Sequence, residues 1–484
     1  MGYRLTDALV ARGHRAALYA AQLVLYAMLL VVCVPVPATA AFGDFTIKDE
    51  VELGRQIKAS VRNHFPLIED PEIVAYANEV LHKLMAQVPP QPFVFSINII
   101  RHNAINAFAT PGGNLFLFTG LILAMEHESE MAGVLAHEIA HATQRHIAGR
   151  IAQNQRMTLL SLAGAILGGF LGGEGGMAIM SGSLAAGQAA QLKYSRADET
   201  DADHVGMNYF IKAGYPPRGV VGAFEKIRRQ QWLVGSNIPT YLSSHPGIQE
   251  RINFITTRIN ALPATIRNRK DDDTKFLRIQ TLIRARYSDP QLAMNILNRQ
   301  TKAKGSQRCY AHMGLGMLHS RQNRVNEAEK AFDNALACAS DDSLIAREAG
   351  IFHYAKGSKG KALAYLSRAM ELNSRDYMAQ FYYARLQADS GNTATALDYY
   401  ERILRYLPDD PEVHQFYAQV LGRDKQLFRA YLHLAYSSLY ANDKRRTEQN
   451  LARAQKAAKT PDDETALKRF EAAFKERREL FEKK

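Results

Sequence analysis

Hydrophobic and polar positions divide the chain into stretches with different rhythms. Ala16 to Val34 is almost wholly apolar. From about residue 42 to 262, helical and strand-like spacings alternate, which predicts a mixed α and β unit. Pro263 to Thr274 contains Arg267-Asn268-Arg269-Lys270-Asp271-Asp272-Asp273, charged and without apolar periodicity, and reads as an exposed linker. Beyond it strand signals fade, and a helical pattern rich in Ala, Leu, Tyr, Gln and Arg runs to the end.

That helical part repeats. Gly316, Gly350, Ala384 and Ala418 stand 34 residues apart, each followed twelve positions later by Ala328, Ala362, Ala396 and Ala430. Four further on come Phe332, Leu366, Tyr400 and Leu434, and Pro408 ends the third unit. Small residues are needed where the two helices of a hairpin approach closely, and the bulky one fills the space between hairpins. This is the tetratricopeptide pattern, with its clearest repeats at 309–440. Helices around 275–303 and 443–483 are expected to cap the array with polar outer faces. Cys309 falls early in the first helix of its hairpin and Cys338 at the end of the second. Antiparallel helices bring those ends together, so a disulfide is expected.

The first forty residues combine a basic start, the apolar run, Pro35, Pro37 and Ala38-Thr39-Ala40. These are the parts of a secretory signal peptide, with cleavage after Ala40 or Ala41. An uncleaved anchor is the competing reading, because the run nearly spans a bilayer; the Ala-x-Ala site favours cleavage. Lipoprotein processing at Cys33 would need a small residue where Val31-Val32 stands. Export admits a disulfide between Cys309 and Cys338, the cysteines left in the mature chain. Two cysteines cannot build a zinc site alone.

Composition adds bounds. The chain has 484 residues, 47% apolar and 22% charged, as expected of a folded protein of two or three domains. The formal charge is +12, of which Arg4, Arg12 and Arg15, against Asp7, belong to the leader. A basic surface suits acidic partners or peripheral contact with an anionic membrane. Nucleic acid is excluded as a partner by the lack of a Lys/Arg stripe interleaved with aromatics.

The strongest chemical signal is His137-Glu138-Ile139-Ala140-His141. On a helix the two histidines are i and i+4 and share a face, so both imidazoles reach one metal. Glu138 lies about 100° round, where it can take a proton from a water at that metal. Ser129 to Ala136 is an apolar, helix-favouring lead-in with acid in its first turn. A catalytic zinc needs a third protein ligand. His146 lies about 140° from His141 on a continuous helix, so it cannot join without a break, and reads as a packing or surface residue. Tyr194 to Asp203 opens a second, acid-rich helix in which Glu199 and Asp203 share a face while Asp201 turns away. One of the two carboxylates can bind metal, and the other can accept the ring N–H of a ligating histidine.

The order His137-Glu138-x-x-His141, then Glu199-x-x-Ala202-Asp203, resembles the HtpX and CAAX-prenyl-protease family of zinc peptidases. Asn106-Ala107-Phe108-Ala109-Thr110-Pro111-Gly112-Gly113, with Gly120-Leu121, resembles the family's substrate-side strand and turn. Ser244-His245-Pro246 with Arg251-Ile252 matches a downstream element. The resemblance spans about 103–252. It implies one zinc ion per chain held by His137, His141 and Glu199, with Asp203 behind them and Glu138 catalytic. Substrate is expected to lie extended along Asn106, Ala107 and Phe108. Where HtpX-type members carry transmembrane helices, this chain has a leader and a repeat array, a combination similar to the periplasmic members. That implies unfolded or misassembled outer-membrane proteins as substrates and docking of the barrel-assembly machinery on the repeats.

His245 is expected to act on the metal site, either bonding the developing oxyanion or occupying the open zinc position in a self-inhibited state; the alternative is a loop histidine before proline that merely caps the fold. Leu159 to Ala190 carries Gly-Gly pairs and Glu174, which argue against a membrane span; it reads as a mobile lid or a packed hairpin. The expected fold class is α+β, mostly α. Residues 1–40 are the signal peptide. A gluzincin-type metallopeptidase domain with a small sheet covers 41–265, and an α-solenoid of tetratricopeptide repeats covers 266–484. The function read from this is an exported zinc endopeptidase of the periplasm. The alternative is a chaperone or adaptor with dormant protease chemistry.

Overall fold

The computed structural model describes residues 45–153, 163–164, 166, 194–233 and 240–481. The expected signal peptide and nearly all of the glycine-rich stretch 159–190 lie outside the described residues. Four strands form one sheet: β1 (Leu67–Ile68), β2 (Ser96–Ile100), β3 (Ala107–Thr110) and β4 (Asn114–Phe118), in the order β1-β2-β4-β3. β2 and β4 run parallel, and β3 returns antiparallel to β4 and stands at the edge. The return turn needs Gly112 and Gly113, whose φ angles of 77° and 79° suit a residue without a Cβ.

Side chains alternate across the sheet with the period of two that a strand imposes. Ile97, Ile99, Ala107, Ala109, Leu115 and Leu117 face one core. It is shared with helix Pro71–Met85 and with the motif helix Glu128–Thr143. Ile100, Phe108, Phe116 and Phe118 face a second core with Leu53, Ile57 and Val61 of helix Ile47–His64. Both faces are covered, so the strands read as nearly continuous apolar runs.

The motif helix is buried from Ser129 to His141, with neighbours on every side. The acidic helix Arg196–Lys212 crosses it at Gly206, where a Cβ would come within 2.8 Å of the Ala136 carbonyl oxygen. Only glycine permits that approach, and the approach carries Glu199 and Asp203 over the two motif histidines. Helix Ile248–Asn260 closes the arrangement from the far side. Among the described residues no helix is long and apolar enough to cross a membrane.

The rest of the chain stacks helical hairpins. Those of the 34-residue period are Ser306–Arg321 with Val325–Cys338, Ser343–Ala355 with Lys359–Leu372, Tyr377–Asp389 with Thr393–Tyr406, and Pro411–Arg423 with Leu427–Tyr440. Thr274–Tyr287 with Pro290–Gln300 precedes them, and Lys444–Ala457 with Pro461–Phe481 follows. The repeat positions are the packing positions: Ala328, Ala362, Ala396, Phe332, Leu366 and Tyr400 are all buried. Phe332 lies on Gly316 and Leu366 on Gly350, within their own hairpins.

A disulfide joins Cys309 to Cys338, with Cα atoms 5.3 Å apart. It closes a loop of 29 residues, so replacing both cysteines by Ser lowers stability by about 3 kcal/mol. Denaturant unfolding of the oxidised parent against the double variant measures this.

The charged stretch read as an exposed linker is instead bound to the mixed α and β domain. Asp273 accepts the Glu128 N–H at 2.8 Å and pairs with the His127 ring at 2.6 Å. Asp271 accepts the Ser129 N–H at 3.2 Å. These are free N–H groups at the start of the motif helix, where carboxylates are favoured. Two turns on, the Gln280 amide donates to the carbonyls of Ile122 and Met125 at 2.8 and 2.7 Å. Farther along, Arg286 pairs with Asp70 and Glu348, and Arg347 bridges Glu72, Glu348 and Asp376. Repeats and the mixed α and β domain therefore meet through a partly buried ionic seam.

Candidate metal centre

Four side chains converge between the motif helix, the acidic helix and the short helix Thr240–Ser244. One donor atom each from His137, His141, Glu199 and His245 lies within 4.8 Å of the others, and all four residues are buried. The Nε2 atoms of His137 and His141 are 3.0 Å apart. Glu199 lies 3.4 Å from His137 and 3.5 Å from His141. Three imidazole nitrogens and one carboxylate in this compass suit a divalent transition metal.

The second contacts of the histidines decide which nitrogen faces the cluster. His137 Nδ1 lies 2.9 Å from Asp203, so the Nδ1–H donates there and the Nε2 lone pair points inward. His141 has an analogous partner, and it is His146: the two Nδ1 atoms are 2.9 Å apart, while His146 Nε2 lies 3.2 Å from Asp201. A continuous helix would have carried His146 away. The motif helix stops at Thr143, and Arg145 turns to φ 55°, which swings His146 back over His141. Tyr194 stacks on the other face of His141 at 3.7 Å.

Arg251 binds the acidic helix from behind. It makes two bonds to Asp203, at 2.7 and 2.8 Å, reaches Glu199 at 2.5 Å, and lies 4.4 Å from the Phe224 ring centre. Burial alone would raise both carboxyls. The charges of His245 and Arg251 outweigh it at Glu199, which is held well below the usual carboxylate range. Arg251 outweighs it at Asp203, held at about 2. Burial pushes His141 well below the usual range for histidine, the direction that keeps a ligand nitrogen unprotonated.

Glu138 meets a different environment. Burial pushes its carboxyl up to about 7, with Glu199 adding and His245 and the Ala109 N–H opposing. That N–H, from the edge strand β3, donates to Glu138 at 3.2 Å. Two buried carboxylates on either side of His245 are thus driven in opposite directions, one toward permanent charge and one toward proton exchange near neutrality. His245 stands between them, its Nδ1 3.0 Å from Glu199 and its Nε2 3.5 Å from Glu138. Both Glu138 and His245 are 0% exposed, so this conformation is closed.

Of the residues expected to contact substrate, Ala107 and Phe108 lie on β3 and Asn106 immediately before it. All three are buried, with Phe108 stacked on Phe116 at 4.8 Å. Sequence reasoning missed the partnership of His146 and gave Arg251 no role. The signal for Arg251 was its place in the downstream element that follows His245, with no role attached.

Residues 68–259 match peptidase family M48, and residues 354–420 match a tetratricopeptide repeat. The chain is 26% identical over 401 residues to the β-barrel assembly-enhancing protease of Escherichia coli (strain K12), covering 81% of this chain and 82% of that one. A putative β-barrel assembly-enhancing protease of Vibrio cholerae is 33% identical over 228 residues, 46% of this chain and 47% of that one. The mitochondrial metalloendopeptidase OMA1 of Schizosaccharomyces pombe is 27% identical over 226 residues, 46% of this chain and 64% of that one.

Proposed function

We propose that this metallopeptidase, a family M48 domain followed by tetratricopeptide repeats, uses zinc to cleave unfolded or misassembled outer-membrane proteins in the periplasm. The observation that carries the reading is the donor set. Lone pairs from His137, His141 and Glu199 are drawn together beside a base that burial lifts to about 7. Zinc held by these three residues would polarise the scissile carbonyl and acidify a water. Glu138 then takes the proton from that water and later delivers it to the leaving nitrogen. Substrate adds as a further strand on β3 beside Asn106, Ala107 and Phe108, pairing through main-chain groups that read little sequence. Such a site favours extended polypeptide over compact folds. The repeats supply partner choice, and the barrel-assembly machinery is the partner proposed, a reading supported by the similarity to β-barrel assembly-enhancing proteases. Export by the leader at 1–40 places the chain in the periplasm, and peripheral contact of its basic surface with the membrane fits that location.

His245 acts here as a seat that withdraws. Seated, it fills the fourth place around the cluster and keeps out both water and substrate. Replacing His245 by Ala raises hydrolysis of an unfolded outer-membrane polypeptide about tenfold. The measurement compares purified mature chains loaded with zinc and again after chelation. Activity that survives chelation would overturn the zinc reading, and an unchanged rate in His245→Ala would overturn the gating. The full burial of Glu138 and His245 favours a second reading, in which the chain serves mainly as an adaptor and its protease chemistry is dormant.

A further inference from the structure

Tyr241 lies one helical turn before His245 and is fully buried. Its ring stacks on the His245 imidazole, with centroids 4.4 Å apart and planes 21° from parallel. Its main-chain carbonyl accepts the His245 N–H at 2.9 Å and the Ser244 hydroxyl at 3.1 Å. Ring and backbone thus join the two residues into one turn that must move as a unit.

The Tyr241 hydroxyl behaves differently. It has no hydrogen-bond partner among the described residues. Glu138, Glu199, Asp203 and Arg251 surround it closely enough to act on its charge. Each of them is bonded elsewhere: Glu138 to Ala109, Glu199 to His245 and Arg251, Asp203 to Arg251 and His137. Tyr76 and Tyr215, also in this domain, both bond Glu128. A buried hydroxyl with no partner among the described residues destabilises the conformation that buries it. The seated turn is that conformation, and withdrawal into water relieves it.

We propose that Tyr241 is a positioning residue that sets how firmly His245 is seated. The ring holds the imidazole plane against the ligand cluster, and the unbonded hydroxyl loosens the seat so that substrate can displace it. The inference rests on the reading of His245 as a withdrawing residue. Substrate binds only the withdrawn conformation, so apparent affinity follows the fraction of molecules in it.

Tyr241→Phe keeps the stack and deletes the hydroxyl. In the zinc-loaded mature chain, with an unfolded fluorogenic polypeptide as substrate, KM is expected to rise about tenfold at unchanged kcat. Amide hydrogen exchange of residues 241–247 is expected to slow by a similar factor, in the metal-free protein as well. In a His245→Ala background the same change should move KM less than twofold. A fall in kcat at constant KM would make the hydroxyl a donor in the reaction and overturn the proposal. So would unchanged exchange, or an effect undiminished when His245 is Ala. If His245→Ala alone fails to raise the rate, the gating reading falls, whereas slower exchange in Tyr241→Phe would still show the hydroxyl loosening this turn.

Discussion

Replacing Glu138 by Gln lowers peptide hydrolysis about a thousandfold while the fold and the metal content stay as they are. Gln has nearly the shape of Glu, and its amide oxygen can still accept the Ala109 N–H that now meets Glu138 at 3.2 Å. What disappears is the capacity to take up and return a proton, which burial has tuned by lifting the carboxyl to about 7. His137, His141 and Glu199 are untouched, so metal per chain measured by atomic emission should remain that of the parent. Single-turnover cleavage of an unfolded outer-membrane polypeptide reads the loss. The same variant separates enzyme from adaptor. If cells carrying Glu138→Gln assemble outer-membrane proteins as well as the parent does, the repeats carry the function and the site is dispensable for it.

Replacing Arg251 by Met costs the metal-free protein about 3–5 kcal/mol, the largest stability change expected of a single substitution here. The side chain is 5% exposed and is the cation shared by Glu199 and Asp203. Without it two buried carboxylates face each other and Glu138 with no compensating guanidinium, a far worse state than the intact pair. Urea unfolding of metal-free parent and variant at pH 7 measures the difference; a loss below about 1 kcal/mol would refute it. Acid should erase part of it. Asp203 is depressed in the folded state to about 2, from an ordinary 3.8, so its contribution is present in full above about pH 4. It is lost as pH falls from 4 through 2, and amounts to about 2 kcal/mol. The parent should therefore show a stability slope across that window that Arg251→Met lacks.

What could be read from residues alone follows the range of the interaction. His137, Glu138 and His141 were legible because helix geometry acts over four residues, as were Glu199 and Asp203 on one face of their own helix. The repeats were legible because the 34-residue spacing recurs and each small or bulky residue meets its partner within one hairpin or the next. The partnership of His146 with His141 was not legible because it depends on a left-handed Arg145, and no glycine marks that turn. Arg251 meets Asp203 across 48 residues, and a lone arginine in a helical pattern carries no mark of that. Asp271 and Asp273 looked like solvated charge because they lack periodicity. Their partners are main-chain N–H groups more than 140 residues away, which no local pattern encodes.

Those two aspartates also determine what happens when force reaches the repeats. They grip the first turn of the helix that ends in His137, Glu138 and His141, and Gln280 grips the loop just before it. A load applied to the solenoid would therefore reach the helix of His137, Glu138 and His141 through these hydrogen bonds. Displacing the first repeat helix would then shift the turn from which the motif histidines are carried.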